Sequence, residues 1–423
     1  MRYALPLSLF VGLFVFLDLN FNFNYNIYGD FMYKIGLFND SFPPSIDGVA
    51  NAVVNYANII DEKYGDAIVV TPMYPNVIDN YPYEVFRYHS AKVTKNMPYR
   101  IGNPFSPATI HTLCKKKFDL LHVHSPFVSS LLAHEVALFS EKKKLPTVLT
   151  YHTKFDIDID RYISNKEFNT IAKKFVKKNI SYADEVWTVS NGTIDSLRKI
   201  GYNGQVVVVP NGTDMKKGKS SKNRIAELDR IYRTKDQNLV FLYCGRLMWY
   251  KNIKIILDAL KIIASSGIKF KTFFVGDGPD RPSIESYAKN IGISDYVIFT
   301  GAIYDRDTVK TYFSRANLLL FPSTYDTSGL VVKEAASCAC PTALIKDSCA
   351  AEGILDGKTG ILAEKEDCES FAKVVLEALR IPGKLEEIGK AAQENVYLSW
   401  EDAVSFAYKR YEYVIENFKR KKK

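Results

Sequence analysis

Residues 318–336 read LLLFPSTYDTSGLVVKEAA. Four consecutive apolar residues stopped by Pro322 have the length and flank of a strand buried on both faces, as in a parallel sheet. Apolar and small residues resume at Leu330 with helical spacing. The stretch Thr327-Ser328-Gly329-Leu330 between them is a small, polar helix N-terminus whose first amides lack intrahelical acceptors. Such a terminus is a cradle for an anion. Asp326 stands just before it, and Glu334 lies eight residues on, about two turns into the helix. Carboxylates at both ends of the cradle suit sugar hydroxyls, which donate hydrogen bonds. In an open parallel sheet the ligand sits beyond the carboxyl ends of the strands, so this segment predicts both the fold class and the position of a site.

The same alternation runs through the chain from Met32 onward. Short β-rich runs fall at Tyr33–Phe38, Ala67–Thr71, Leu120–His124, Thr147–Thr150, Glu185–Val189 and Val206–Val209. Amphipathic runs such as Val49–Lys63 and Phe127–Lys143 separate them. A polar, lysine-rich connection and a surface helix follow Pro210-Asn211-Gly212. Strand-like runs then restart at Leu239–Cys244, Phe270–Val275, Tyr296–Thr300, Leu318–Phe321 and Thr342–Ile345. Strands alternating with helices predict parallel sheets covered on both faces. The chain therefore reads as α/β with two doubly wound halves of similar size, spanning 32–212 and 213–398. A final helix and basic tail occupy 399–423, with Trp400, Val404, Tyr408 and Tyr411 on one face.

Other strand ends carry candidate chemistry. After the first strand, Asn39-Asp40-Ser41-Phe42-Pro43-Pro44 gives a rigid turn, and Gly48 opens a helix whose free amides can meet an anion. After 239–244 come Gly245-Arg246-Leu247 and Lys251-Asn252. Arg246 and Lys251 place two cations at a helix mouth, which suits a departing pyrophosphate; a solvated helix start fits the spacing equally well. Gly276-Asp277-Gly278-Pro279 allows close approach of a flat ring or phosphate, and an ordinary tight turn fits as well. The absence of G-x-G-x-x-G counts against a dinucleotide enzyme.

These pieces together resemble the retaining glycosyltransferases of family 4, which have the GT-B architecture of two facing Rossmann-like domains. The resemblance rests on Ile46-Asp47-Gly48-Val49, His122-Val123-His124-Ser125-Pro126, Tyr151-His152-Thr153, Val189-Ser190-Asn191, Val209-Pro210-Asn211-Gly212, Gly245-Arg246-Leu247 with Lys251-Asn252, Val275 to Pro279, and the 322–336 block. It covers nearly all of the chain after residue 31. The family pattern is Glu, seven residues, Glu; here the first acid is Asp326, one methylene shorter, in the same register to Glu334. The resemblance implies that Asp326 and the amides of Ser328, Gly329 and Leu330 hold donor sugar and phosphate, and that Glu334 binds ribose hydroxyls. It implies that Arg246 and Lys251 stabilise the departing diphosphate and that Gly48 keeps the first loop near the donor phosphates. His152 would sit near the anomeric carbon and acceptor, and Ile303, after Gly301, would border the nucleobase. The implied reaction moves a hexose from a nucleotide-sugar, UDP-linked by expectation, to a lipid or glycan, with retention and with neither metal nor cofactor. Related enzymes glycosylate diacylglycerol or other lipids.

The remaining patterns weigh less. Asp156, Asp158 and Asp160 with Glu167 mimic a calcium loop, but the sixth position is Arg161, where that turn needs glycine. Their context reads as an irregular, acceptor-facing loop. His122 and His124 point the same way on a strand, without a clear third zinc ligand. Over 165–181, Phe168, Ile171, Ala172, Phe175 and Val176 gather on one side of a helical wheel, and Lys166, Lys173, Lys174, Lys177 and Lys178 on the other. That is a helix packed on its sheet with lysines in solvent, or a patch for an anionic membrane.

Composition sets the outer limits. Of 423 residues, 47% are hydrophobic and 24% charged, which excludes a disordered or disulfide-scaffold chain. Mean hydropathy of −0.12 excludes a polytopic membrane protein. Five positive charges of the net +9 sit in residues 419–423, so charge alone does not indicate nucleic-acid binding. Six cysteines without a C-x-x-C pair read as reduced thiols of a cytoplasmic protein, free in the cytosol or peripheral on the cytoplasmic membrane face. Residues 1–31 read as a membrane anchor, a signal peptide, or sequence upstream of a true start at Met32, the last being favoured. Two other functions fit the double fold: a sugar-nucleotide epimerase or dehydrogenase, and a non-catalytic nucleotide-sugar or membrane-binding protein.

Overall fold

The computed structural model describes residues 32–45, 47–92, 100–141, 144–235 and 239–421; the apolar segment 1–31 lies outside the described residues. In the first half the elements are β1 (Tyr33–Phe38), α1 (Gly48–Lys63), β2 (Gly65–Pro72), β3 (Glu84–Tyr88), β4 (Ser90–Lys92), β5 (Arg100–Gly102), α2 (Pro107–Cys114), β6 (Leu120–Val123), α3 (Val128–Phe139), β7 (Thr147–Tyr151), α4 (Phe155–Tyr162), α5 (Lys166–Ile180), β8 (Glu185–Thr188), α6 (Gly192–Ile200) and β9 (Val206–Val208). The second half contains α7 (Lys222–Tyr232), β10 (Val240–Cys244), α8 (Ile253–Ser265), β11 (Lys271–Val275), α9 (Arg281–Asn290), β12 (Val297–Gly301), α10 (Arg306–Arg315), β13 (Leu318–Phe321), α11 (Leu330–Ser337), β14 (Thr342–Ile345), β15 (Ile361–Ala363), α12 (Cys368–Leu379), α13 (Lys384–Asn395) and α14 (Trp400–Lys421).

Two parallel sheets result. The first has the order β3-β2-β1-β6-β7-β8-β9, the second β12-β11-β10-β13-β14-β15. Each reverses direction of growth once, between β1 and β6 and between β10 and β13. Crevices open at such reversals, so the ends of those four strands, at Asn39, His124, Gly245 and Pro322, are where a ligand fits. The architecture is the expected pair of Rossmann-like domains. Strand β3, the small antiparallel pair β4–β5 and strand β15 had no counterpart in the sequence reading. The expected acceptor-facing loop around Asp156 is instead the helix α4.

Local chemistry accounts for the elements that frame the crevice. Asp47 caps α1 by accepting from the amides of Val49 (2.9 Å) and Ala50 (2.7 Å). The face of α1 bearing Val53, Tyr56, Ala57 and Ile60 is buried on the first sheet. Half-buried Asp40 accepts from the Ser125 hydroxyl (2.6 Å), the Ser129 amide (2.8 Å) and the Ser129 hydroxyl (3.1 Å), which ties the end of β1 to the start of α3. Burial raises its carboxyl pKa, and these hydrogen bonds oppose the rise.

The last helix does not stay with the second domain. Trp400, Val404, Tyr408, Tyr411, Val414 and Ile415 join the core of the first. Arg410 grips Glu185 of β8 through two 2.6 Å contacts. The chain thus crosses between domains twice, and the crossings lie side by side. The Thr213 amide donates to the Leu398 carbonyl (2.9 Å) and the Trp400 amide to the Thr213 carbonyl (3.1 Å). Gly212 is required there: a Cβ would lie 2.3 Å from the Ser399 carbonyl oxygen.

Candidate active site

The second sheet ends in a row of glycines. Gly245 and Gly276 follow β10 and β11 with φ of 148° and 140°, and a Cβ on Gly276 would meet the Gly245 carbonyl oxygen at 2.0 Å. A Cβ on Gly278 would meet the Leu247 carbonyl oxygen at 2.3 Å. Backbone packing alone therefore requires glycine at both positions of the G-x-G turn. Beyond the turns, Ile303 is half-buried against the second core.

Arg246 is exposed, and no hydrogen bond or ion pair ties its side chain to another described residue. Lys251, at the end of a 3₁₀ turn, reaches back across the crevice instead. Its Nζ lies 2.7 and 2.9 Å from the two carboxylate oxygens of Asp326. The Ser323 hydroxyl donates to the same carboxylate at 2.5 Å. Asn252, in a left-handed conformation (φ 60°), fixes the turn by donating to the Pro322 carbonyl at 3.0 Å. The sequence placed Asp326 and Lys251 in one site, and the structure joins them directly.

After the loop, Gly329 adopts φ 54° and starts α11. The Ser328 hydroxyl is buried without a partner. The hydroxyl lies at the N-terminus of α11, where the first helix amides have no intrahelical acceptors. Glu334 lies inside the same helix. Burial raises its carboxyl pKa, and the Arg306 guanidinium, 2.6 Å away, counters the rise. Arg306 also binds Asp214 through contacts of 3.0 and 2.5 Å. Arg306 was absent from the sequence reading, because a lone arginine at a helix start has no motif. The only available signal was that a half-buried carboxylate needs a cation. Next to Glu334, Lys333 is half-buried and donates to the Asn211 carbonyl, and desolvation lowers its pKa to about 8.

Across the crevice stands a buried histidine cluster. His152 Nε2 lies 3.0 Å from His124 Nδ1. His122 binds Tyr411 Oη at 2.5 Å and Thr150 Oγ1 at 2.7 Å. Burial holds all three imidazoles neutral, His152 down to about 3. The Thr327 hydroxyl donates to the His152 carbonyl at 2.7 Å, so the loop bearing Asp326 and the strand end bearing His152 are in contact. Gly48 opens α1 with no atom within 4 Å of where a Cβ would lie and without positive φ. Nothing in the protein itself requires glycine there.

The aspartates of the 156–160 run are held by separate partners. On α4, Asp156 accepts from Ser196, Asp158 from Tyr325, and Asp160 from Lys173 and Asn169, three different directions. Among the described residues no three His, Cys, Asp or Glu side chains gather as metal ligands. Helix α5 buries only Val176, Asn179 and Ile180; Phe168, Ile171 and Phe175 of its expected packing face are 65%, 60% and 42% exposed.

The chain as a whole is similar to known proteins. Residues 46–217 match the family model described as Glycosyltransferase Family 4, and residues 225–395 the one described as Glycosyl transferases group 1. The chain is 24% identical over 374 residues to an alpha-monoglucosyldiacylglycerol synthase of Acholeplasma laidlawii, covering 85% of this chain and 92% of that one. It is 25% identical over 314 residues to the synthase of the same name from Streptococcus pneumoniae, covering 73% and 70%. Anabaena HepE, solved with UDP and glucose, superposes with a TM-score of 0.68 at 16% identity, over 90% of this chain and 99% of that one.

Proposed function

The chain belongs to the family 4, group 1 glycosyltransferases, and from that membership we propose that it transfers a hexose from a UDP-sugar to a lipid acceptor with retention, without a metal ion or other cofactor. The observation that carries this reading is the pairing of Lys251 with Asp326 one residue away from Thr327, which touches the His152 carbonyl. These contacts support a reading in which donor-binding and acceptor-side groups flank a single crevice. Membership in a transferase family sets aside the epimerase and the non-catalytic readings.

In the proposed reaction the acceptor oxygen attacks the anomeric carbon on the face the diphosphate leaves. The carbon–oxygen bond to the diphosphate breaks, the new glycosidic bond forms, and the acceptor proton passes to a diphosphate oxygen. Arg246 and Lys251 stabilise the negative charge that develops there. Asp326 orients sugar hydroxyls, the amides of Ser328 to Leu330 with the Thr327–Ser328 loop hold phosphate, and Glu334 accepts from ribose hydroxyls. Gly48 leaves room for the phosphates at the N-terminus of α1, and Gly278 and Ile303 border the nucleotide. His152 remains neutral at physiological pH, so it acts as a hydrogen-bonding group and not as a charged acid. The UDP preference is supported by the nucleotide in HepE, and the lipid acceptor by the diacylglycerol synthases.

The proposed location is the cytoplasmic face of the membrane. Exposed Phe168, Ile171 and Phe175 on α5 lie among exposed Lys166, Lys174, Lys177 and Lys178, an apolar stripe with cationic flanks. The test is the full chain incubated with UDP- and GDP-hexoses, with and without diacylglycerol in anionic vesicles, in the presence of EDTA. Nucleotide release, product mass and the anomeric proton coupling are read. UDP release that depends on diacylglycerol, giving an α-linked hexosyl lipid from an α-linked donor, is expected. Release that needs a divalent ion, or a β-linked product, overturns the proposed mechanism.

A further inference from the structure

Asp158 and Arg161 of α4 lie outside the groups assigned to substrate, yet they reach the donor loop. We infer that they are positioning residues: through Tyr325 and Tyr250 they set the placement of Asp326 and Lys251. The inference rests on the transferase reading above.

The Tyr325 hydroxyl donates to Asp158 Oδ1 at 2.6 Å across the domain boundary. The Arg161 guanidinium carbon lies 4.4 Å from the centre of the Tyr250 ring and 5.3 Å from that of Tyr325. The two rings are themselves 4.6 Å apart. Each tyrosine immediately precedes one member of the donor pair, Tyr250 before Lys251 and Tyr325 before Asp326. The neighbouring residues are held too. Lys154 donates to the Thr324 carbonyl at 2.9 Å, and Thr327 donates to the His152 carbonyl at 2.7 Å. Of the consecutive residues 324 to 327, three are bonded to the first domain, and Asp326 alone turns inward to Lys251.

A carboxylate flanked on both sides by fixed residues has little backbone freedom left. A hydrogen bond to a charged acceptor is the stronger kind, and its geometry is narrow. The planar guanidinium stacks on two rings at once, which a lysine ammonium cannot reproduce. Separation of the domains would break these contacts together, so the donor pair is fully placed only when the first domain is seated against it. Displacement of a reacting group by about 1 Å costs up to about a hundred-fold in rate.

The test compares the full-length wild type with Tyr325→Phe, Asp158→Asn, their double variant and Arg161→Lys. Turnover and donor KM are measured with the donor and acceptor that serve the wild type. Each single variant is expected to lower kcat about ten-fold or more, with donor KM within about two-fold and an unchanged melting temperature. The double variant is expected to be no slower than the slower single, because Tyr325→Phe removes and Asp158→Asn weakens the same contact. Unchanged kcat, multiplicative losses, or losses that follow the melting temperature overturn the inference. Hydrogen exchange of the 322–329 backbone in the unliganded protein needs no activity. Faster exchange in Asp158→Asn and Tyr325→Phe is expected, and equal exchange overturns the inference. An inactive wild type defeats the transferase reading instead, and the exchange result then decides the inference by itself.

Discussion

At the scale of single residues, Gly48 separates a folding role from a ligand role. Gly212 and Gly278 are fixed by backbone atoms at 2.3 Å, whereas a Cβ on Gly48 would enter open space. Gly48→Ala is therefore expected to leave stability unchanged or raise it by about 0.5 kcal/mol, since the unfolded chain loses freedom. If the donor phosphates occupy that space, the donor KM rises about ten-fold or more; chemical denaturation and donor titration check both halves. An unchanged KM removes Gly48 from the site. The sequence made Asp326, Lys251 and Glu334 legible because each sits at a set distance from a strand end, and His152 only through the family resemblance. It left Arg306, Lys333 and Tyr325 unread, since what defines them is a partner distant in the chain: Glu334, Asn211 and Asp158.

At the scale of elements, β6 and β7 carry three neutral histidines into the core. The unfolded chain protonates each near 6.5, whereas the folded protein keeps His152 neutral down to about 3 and also depresses His122 and His124. The unfolded state therefore binds more protons below about pH 6.5, and folding stability falls as pH drops toward the folded values. Three such groups give a slope of about 4 kcal/mol per pH unit at the limit. Asp40 and Glu334, whose pKa values burial raises, take up protons in the folded state and soften the loss at the acid end. Denaturant midpoints measured from pH 7.5 to 5 are expected to fall steeply below pH 6.5; a flat profile contradicts the burial of this cluster. Most helices and central strands were readable from periodicity. Strand β3 was not, because its residues Glu84–Tyr88 mix charge with half-burial at a sheet edge, and β15 is only three residues long. Helix α5 shows the limit of periodicity: the wheel finds an apolar stripe but does not say whether protein or solvent covers it.

At the scale of the molecule, the doubly wound repeat predicted two parallel sheets, and among the described residues two parallel sheets form, beside the small antiparallel β4–β5 pair. The return of α14 to the first domain was not readable, because its apolar spacing fits either core. The exposed stripe of α5 belongs to this scale as well, since its proposed partner is a surface. Binding to phosphatidylglycerol vesicles is expected to weaken as salt rises from about 0.1 to 1 M, as the screening length contracts. Phe168→Ser with Ile171→Ser is expected to abolish sedimentation with vesicles while the fold persists. Retained binding of that variant moves the membrane contact elsewhere. The paired crossings at Thr213 and Trp400 carry a mechanical consequence. Two strands bonded to each other, with Gly212 pressed on Ser399, act as a leaf spring and not as a swivel. Bending both strands together can open the crevice, but rotating one domain about the long axis would shear their mutual hydrogen bonds. Bending of both segments together is therefore expected to cost less than twisting one domain against the other, because only the twist breaks the paired hydrogen bonds at Thr213 and Trp400.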